Sequence, residues 1–131
     1  MEYLIGVVLA LAVAGLGAMA GFDRERVFYP VVLIVVATYY ILFAVIGASA
    51  RILVTEILFA TTFLVLAVIG FKKSAWLVAV AMAGHGVFDA VHHLFIANPG
   101  MPQWWPGFCM AFDVTLGAWI AVLLMMRRRA A

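Results

Sequence analysis

Apolar residues run along the chain in five blocks, each close to the roughly 20 residues a helix needs to cross the hydrocarbon core of a bilayer. The blocks are 3–20, 28–48, 52–70, 75–97 and 108–126. Polar residues gather at the joints, in GFDRER, at 49–51, in FKKS and in NPGMPQWWPG. No two-residue alternation is present, and the blocks are too long for barrel strands. Pro30 falls in the first turn of the second block, where a missing N–H does no harm. The pattern predicts an all-α protein, a bundle of five transmembrane helices forming one domain over 1–131. The ten residues NPGMPQWWPG, with Pro99, Pro102 and Pro106, are expected to form a stiff, non-helical connection.

Composition strengthens this picture. Hydrophobic residues make up 69% of the 131-residue chain, and only 11% are charged. A soluble domain is about 45–50% apolar and about 25% charged, so a soluble globular enzyme and a disordered chain are both excluded. The mean hydropathy of +1.22 agrees. Ala18-Met19-Ala20 resembles a signal-peptide cleavage site, but Glu2 stands where a signal peptide carries Lys or Arg, so the first block is expected to be a retained span.

Charge then orients the bundle. With five spans, Arg24, Arg26, Lys72, Lys73, Arg127, Arg128 and Arg129 share one side, and Arg51 alone lies on the other. Basic residues stay in the cytoplasm. The N-terminus is therefore expected outside and the C-terminus inside, in a bacterial cytoplasmic (inner) membrane. The net charge of +2 follows from these clusters and implies no nucleic-acid partner. The lone Cys109 excludes an intrachain disulfide and a Cys-pair zinc site.

The chemistry lies in polar residues inside the spans, which are costly there and usually functional. The fourth block carries HGVFDAVHH, placing His85, Asp89, His92 and His93 on one helix stripe about 100° wide. Glu56 and Asp113 sit roughly 6–8 Å below the outer ends of the third and fifth helices by helix rise. His92 lies at a comparable depth and Asp89 one turn deeper. Three separate stretches thus bring carboxylates and imidazoles into one slab. Gly84, Gly86, Gly117 and Ala60 beside these groups predict close helix packing. Below the stripe Val78, Ala81 and Met82 are apolar, so the polar track stops at mid-membrane.

This donor set suits a divalent metal (Zn, Mn or Fe) held by His85, Asp89, His92, His93, Glu56 and Asp113. In a catalytic site Asp89, His92 and Asp113 would carry the reaction, the metal activating water or an oxidant against a lipid-soluble substrate. Two further readings are a proton or cation pathway and an accessory or structural subunit whose polar cluster holds helices together. Trp104 and Trp105 fit either an interfacial anchor or, with Asn98 and Gln103, a lid over the site. Gly17 and Gly21 form a small-xxx-small pair that predicts a homodimer face on the first helix. The string HGVFDAVHH, followed by PQWWPGFC and Asp113, resembles a family of small bacterial integral membrane proteins of unknown function. The resemblance covers mainly 85–113 and implies membrane location and importance of these motifs, but no activity.

Overall fold

The computed structural model describes residues 1–131 and contains five long helices. They are α1 (Glu2–Ala20), α2 (Phe28–Gly47), α3 (Ala50–Lys73), α4 (Ala75–Phe95) and α5 (Trp105–Ala130). All five are long and apolar enough to cross a membrane, the make-up of a multi-pass membrane protein. Of 102 backbone hydrogen bonds, 89 lie within helices, so the main chain satisfies itself as a hydrocarbon environment requires.

Local chemistry sets the helix ends. Gly21 ends α1 with φ 79°, a left-handed conformation that favours glycine. Ser49 caps α3, its Oγ accepting from Ile52 N–H at 3.4 Å. Thr55, Thr61 and Thr62 donate to carbonyls one turn back on α3, which hides their hydroxyls from an apolar surround.

Five helices stand where the five spans were expected, but α3 and α5 are longer at both ends than expected and α4 stops at Phe95, two residues early. Helix α3 continues to Lys73, and α5 begins at Trp105 with Pro106 in its first turn. The expected non-helical connection is therefore shorter than ten residues. The earlier start also puts Asp113 eight residues into α5, about 12 Å from its end by helix rise, deeper than expected.

Packing runs α1 on α5, α5 on α4, α4 on α3 and α3 on α2, and α2 also touches α4. Helix α4 is thus central. Gly86 and Gly117 make the α4–α5 contact possible. A Cβ on Gly117 would stand 2.8 Å from the Ala83 nitrogen, and one on Gly86 would stand 3.0 Å from the Met110 carbonyl oxygen. Gly84 has nothing near it and plays no such part. The Gly17–Gly21 face is not formed. Gly17 packs on Phe28 and Tyr29 of its own chain, and Gly21 is a turn residue, not part of a helix face.

Burial is inverted relative to a water-soluble protein. Leu4, Ile46, Val80 and Leu94 are 64–70% exposed, while Asp89, His92 and Asp113 are 0% exposed. Towards the end of the bundle that carries the α1–α2 and α3–α4 connections the interior is largely apolar, with Leu33, Met82 and Leu116 fully buried. Glu56, His85, Asp89, His92, Asn98 and Asp113 occupy the interior of the half nearer the α4–α5 connection, and Asp23 alone of the buried polar residues lies at the other end.

Candidate functional site

Helix α4 supplies three of the buried polar side chains on one face: His85, Asp89 and His92. Their partners arrive from α2, α3, α5 and the α4–α5 connection. The result is two adjoining clusters joined by Tyr40.

The deeper cluster consists of His85, Asp89 and Asp113. His85 Nδ1 lies 2.6 Å from Asp113 Oδ2 and 3.4 Å from Asp89 Oδ2, so two carboxyl groups approach the same ring nitrogen. Tyr40 O–H donates to the other Asp89 oxygen at 2.6 Å. Asp89 Oδ2 and Asp113 Oδ1 have no hydrogen-bond partner although both are buried. One ligand atom from each of His85, Asp89 and Asp113 falls within a 4.8 Å set. Two carboxyl groups face one imidazole here, leaving unfilled acceptor capacity. Unsatisfied buried groups are costly, more so at membrane depth.

The shallower cluster is His92, Glu56 and Asn98. His92 Nε2–H points at both carboxylate oxygens of Glu56, at 2.8 and 3.1 Å. Asn98 Nδ2 donates to Glu56 Oε1 at 3.0 Å and to the Tyr40 carbonyl at 3.2 Å, and Asn98 Oδ1 accepts from Gly100 N–H at 3.1 Å. One acid meets one imidazole, and the amide fills what remains. Only His92 Nδ1 is left without a partner.

Tyr40 belongs to both. Its ring stacks on His92 with centroids 4.1 Å apart and planes at 10°, while its hydroxyl holds Asp89. Phe63 meets His85 edge-on at 4.6 Å, and Phe88 meets His92 edge-on at 5.4 Å. These rings enclose the imidazoles in apolar surface and keep water out, which strengthens every charge interaction inside. Tyr40 was missed in the sequence because a tyrosine in an apolar run of α2 reads as core or interface. Only its hydroxyl, aimed at Asp89, marks it as functional.

The structure brings together five of the six predicted ligands, in two groups and not one. His93 is the exception: it is exposed and lines a shallow outer cavity with Asn98 and Gln103. It sits on the edge of the stripe, 100° from His92 by helix geometry, past the arc that α3 and α5 cover. Of the residues expected in a lid, Asn98 enters the site and Gln103 stays exposed. Trp104 is 52% exposed, as an interfacial anchor would be, while Trp105 packs against Tyr39 and Phe43 of α2 at 5.0 and 4.9 Å. Neither tryptophan covers the polar groups. Cys109 is buried one turn from Asp113. No protein-family model, curated protein or solved structure matches the chain.

Proposed function

We propose that this is a multi-pass protein of the bacterial cytoplasmic membrane, N-terminus out and C-terminus in, whose His85, Asp89 and Asp113 bind a divalent metal ion. The observation that carries this reading is that two carboxyl groups meet one imidazole nitrogen and that one oxygen of each, Asp89 Oδ2 and Asp113 Oδ1, is buried without a hydrogen-bond partner. A divalent cation would balance the two carboxylates and occupy both oxygens while His85 supplies a neutral nitrogen. Zn, Mn and Fe accept such a nitrogen–oxygen set. In a tetrahedral site, ligand atoms about 2.0–2.2 Å from the ion stand roughly 3.3–3.6 Å apart. The ligand atoms of His85, Asp89 and Asp113 lie within 4.8 Å of one another, so side-chain rotation would have to bring them to that spacing. Three protein ligands leave a fourth position for water or substrate, the arrangement of catalytic zinc sites.

Such a site could serve a metal-dependent reaction on a lipid-soluble molecule. An apolar cleft of about 750 Å³ runs between α1, α2 and α5, and Cys109 and Phe112 form part of its wall. Cys109 is one turn from Asp113, so the cleft brings apolar ligands close to the cluster. The apolar inner half, with Leu33, Met82 and Leu116, weighs against a continuous proton or cation pathway.

Metal analysis of protein purified without chelators tests the proposal. The expected result is close to one equivalent of a transition metal per chain, lost on prolonged chelation and regained on adding Zn or Mn. Protein that neither carries nor takes up metal would overturn it. A reporter fused after Ala131 should be active only in the cytoplasm, and periplasmic activity would overturn the orientation.

A further inference from the structure

The inner end of the bundle holds a second concave site, far along the helices from the His/Asp cluster. It is a cavity of about 420 Å³ between the α1–α2 connection, the α3–α4 junction and the last turns of α5. Four cationic side chains from three separate segments line it: Arg24, Arg26, Lys73 and Arg127. The acids in it are Asp23 and Glu25.

Asp23 is already answered. Arg127 Nη2 donates to the Asp23 main-chain carbonyl at 2.7 Å and stands 3.8 Å from its carboxylate. Arg24, Arg26 and Lys73 form no ion pair within the chain, and only Glu25 opposes them. The cavity therefore carries a surplus of two positive charges. Its remaining wall is partly apolar, with Val78, Ile120 and Leu123 below the charged rim. Basic residues at a cytoplasmic helix end are ordinary as orientation signals. Lys72, Arg128 and Arg129 fit that role alone, because they lie outside the cavity. Convergence of the other four on one recess, above an apolar wall, is a different arrangement. It matches a molecule with an anionic head and a hydrocarbon body.

The geometry points to a binding site for an anionic phospholipid, its phosphate among Arg24, Arg26 and Lys73 and its acyl chain against Ile120 and Leu123. Basic recesses between transmembrane helices recognise such headgroups. The hydroxyls of Ser74 and Tyr29 also line the recess. Tyr29 accepts from Trp119 Nε1 at 3.1 Å, which leaves its own O–H available to a phosphate. The site would pin the α1–α2 connection to the ends of α3 and α5 through a bound lipid. This inference rests on the membrane reading above, but not on the metal.

Native mass spectrometry of the whole protein, released from mixed micelles of dioleoyl phosphatidylglycerol and dioleoyl phosphatidylcholine, tests it. The expected result is retention of one phosphatidylglycerol in preference to phosphatidylcholine. Arg24→Gln with Arg26→Gln should weaken that preference, as should Lys73→Gln alone, by roughly fivefold for each cation removed. Arg128→Gln with Arg129→Gln, the same charge change outside the recess, should leave it intact. Equal retention of both lipids by the wild-type protein would overturn the site, whatever the variants do. So would equal losses in the inside and outside variants, or displacement of the lipid by excess inorganic phosphate, which would assign the recess to a free anion. Release of the chain from membranes by alkaline carbonate without detergent would instead overturn the membrane reading.

Discussion

The two halves of the polar interior use the same residue types to opposite ends. Around His92, one carboxyl group meets one imidazole, and Asn98 adds a hydrogen bond to Glu56, so that one ring nitrogen alone is left over. Around His85, two carboxyl groups meet one imidazole, and two oxygens are left over. The His92–Glu56 pair holds helices together and leaves a single ring nitrogen, His92 Nδ1, without a partner. The cluster with two carboxyl groups keeps unfilled acceptor oxygens, and it does so only where the surrounding fold is firm enough to hold those groups together. The balanced half supplies part of that firmness: Glu56 ties α3 to α4, and Asn98 ties the outer connection to both α2 and α3. Tyr40 transmits it, since one side chain stacks on His92 and anchors Asp89. The lesson is that in-membrane carboxylates and histidines cannot be weighed one by one; their stoichiometry within a cluster decides whether they are glue or site.

Substitutions can break this comparison. The largest effect is expected from Asp89→Ala, which removes a proposed ligand and should lower bound metal at least tenfold while the helices still insert. Glu56→Gln keeps the shape and an acceptor for His92, and should leave metal content within about twofold, a smaller loss than the roughly 10–100-fold typical even of groups that orient ligands. Elemental analysis of the two variants side by side decides the matter. If Glu56→Gln loses metal and Asp89→Ala keeps it, the roles assigned to the halves are exchanged.

Tyr40→Phe sharpens the same contrast. It deletes the hydroxyl at Asp89 and preserves the ring on His92. Losing a hydrogen bond to a charged group costs about 1.5–3 kcal/mol, and metal affinity should fall by roughly tenfold, as when a ligand loses the group that orients it. Thermal unfolding in detergent and a competitive chelator titration read the two effects separately. Unchanged affinity would show that Asp89 needs no help from α2.

The smallest effect belongs to His93→Ala. An exposed side chain outside both clusters should change stability by less than about 0.5 kcal/mol and leave metal content unaltered. Metal loss on this substitution would place the site at the outer cavity instead of the bundle interior.

The five helices were legible in the sequence because each is a local property. Run length and the polar joints between runs act within a few residues of chain, and an apolar exterior leaves them no competitor; that Gly21 ends α1 and Ser49 caps α3 came only from the structure. The stripe on α4 was legible for the same reason, since helical periodicity alone puts His85, Asp89 and His92 on one face. The depth of Asp113 was misjudged because Trp105 and Pro106 start α5 earlier than their prolines and tryptophans suggest, helix first turns being tolerant of both. Three matters were decided by tertiary structure alone. The pairing of Glu56 with His92 and of Asp113 with His85 depends on which helices flank α4, and five similar apolar helices carry no local signal for their order. Tyr40 joined the site only when α2 was laid against α4. His93 left it because the neighbouring helices cover a limited arc of α4, and whether a residue at the edge of a stripe is buried or bare depends on how far its neighbours reach.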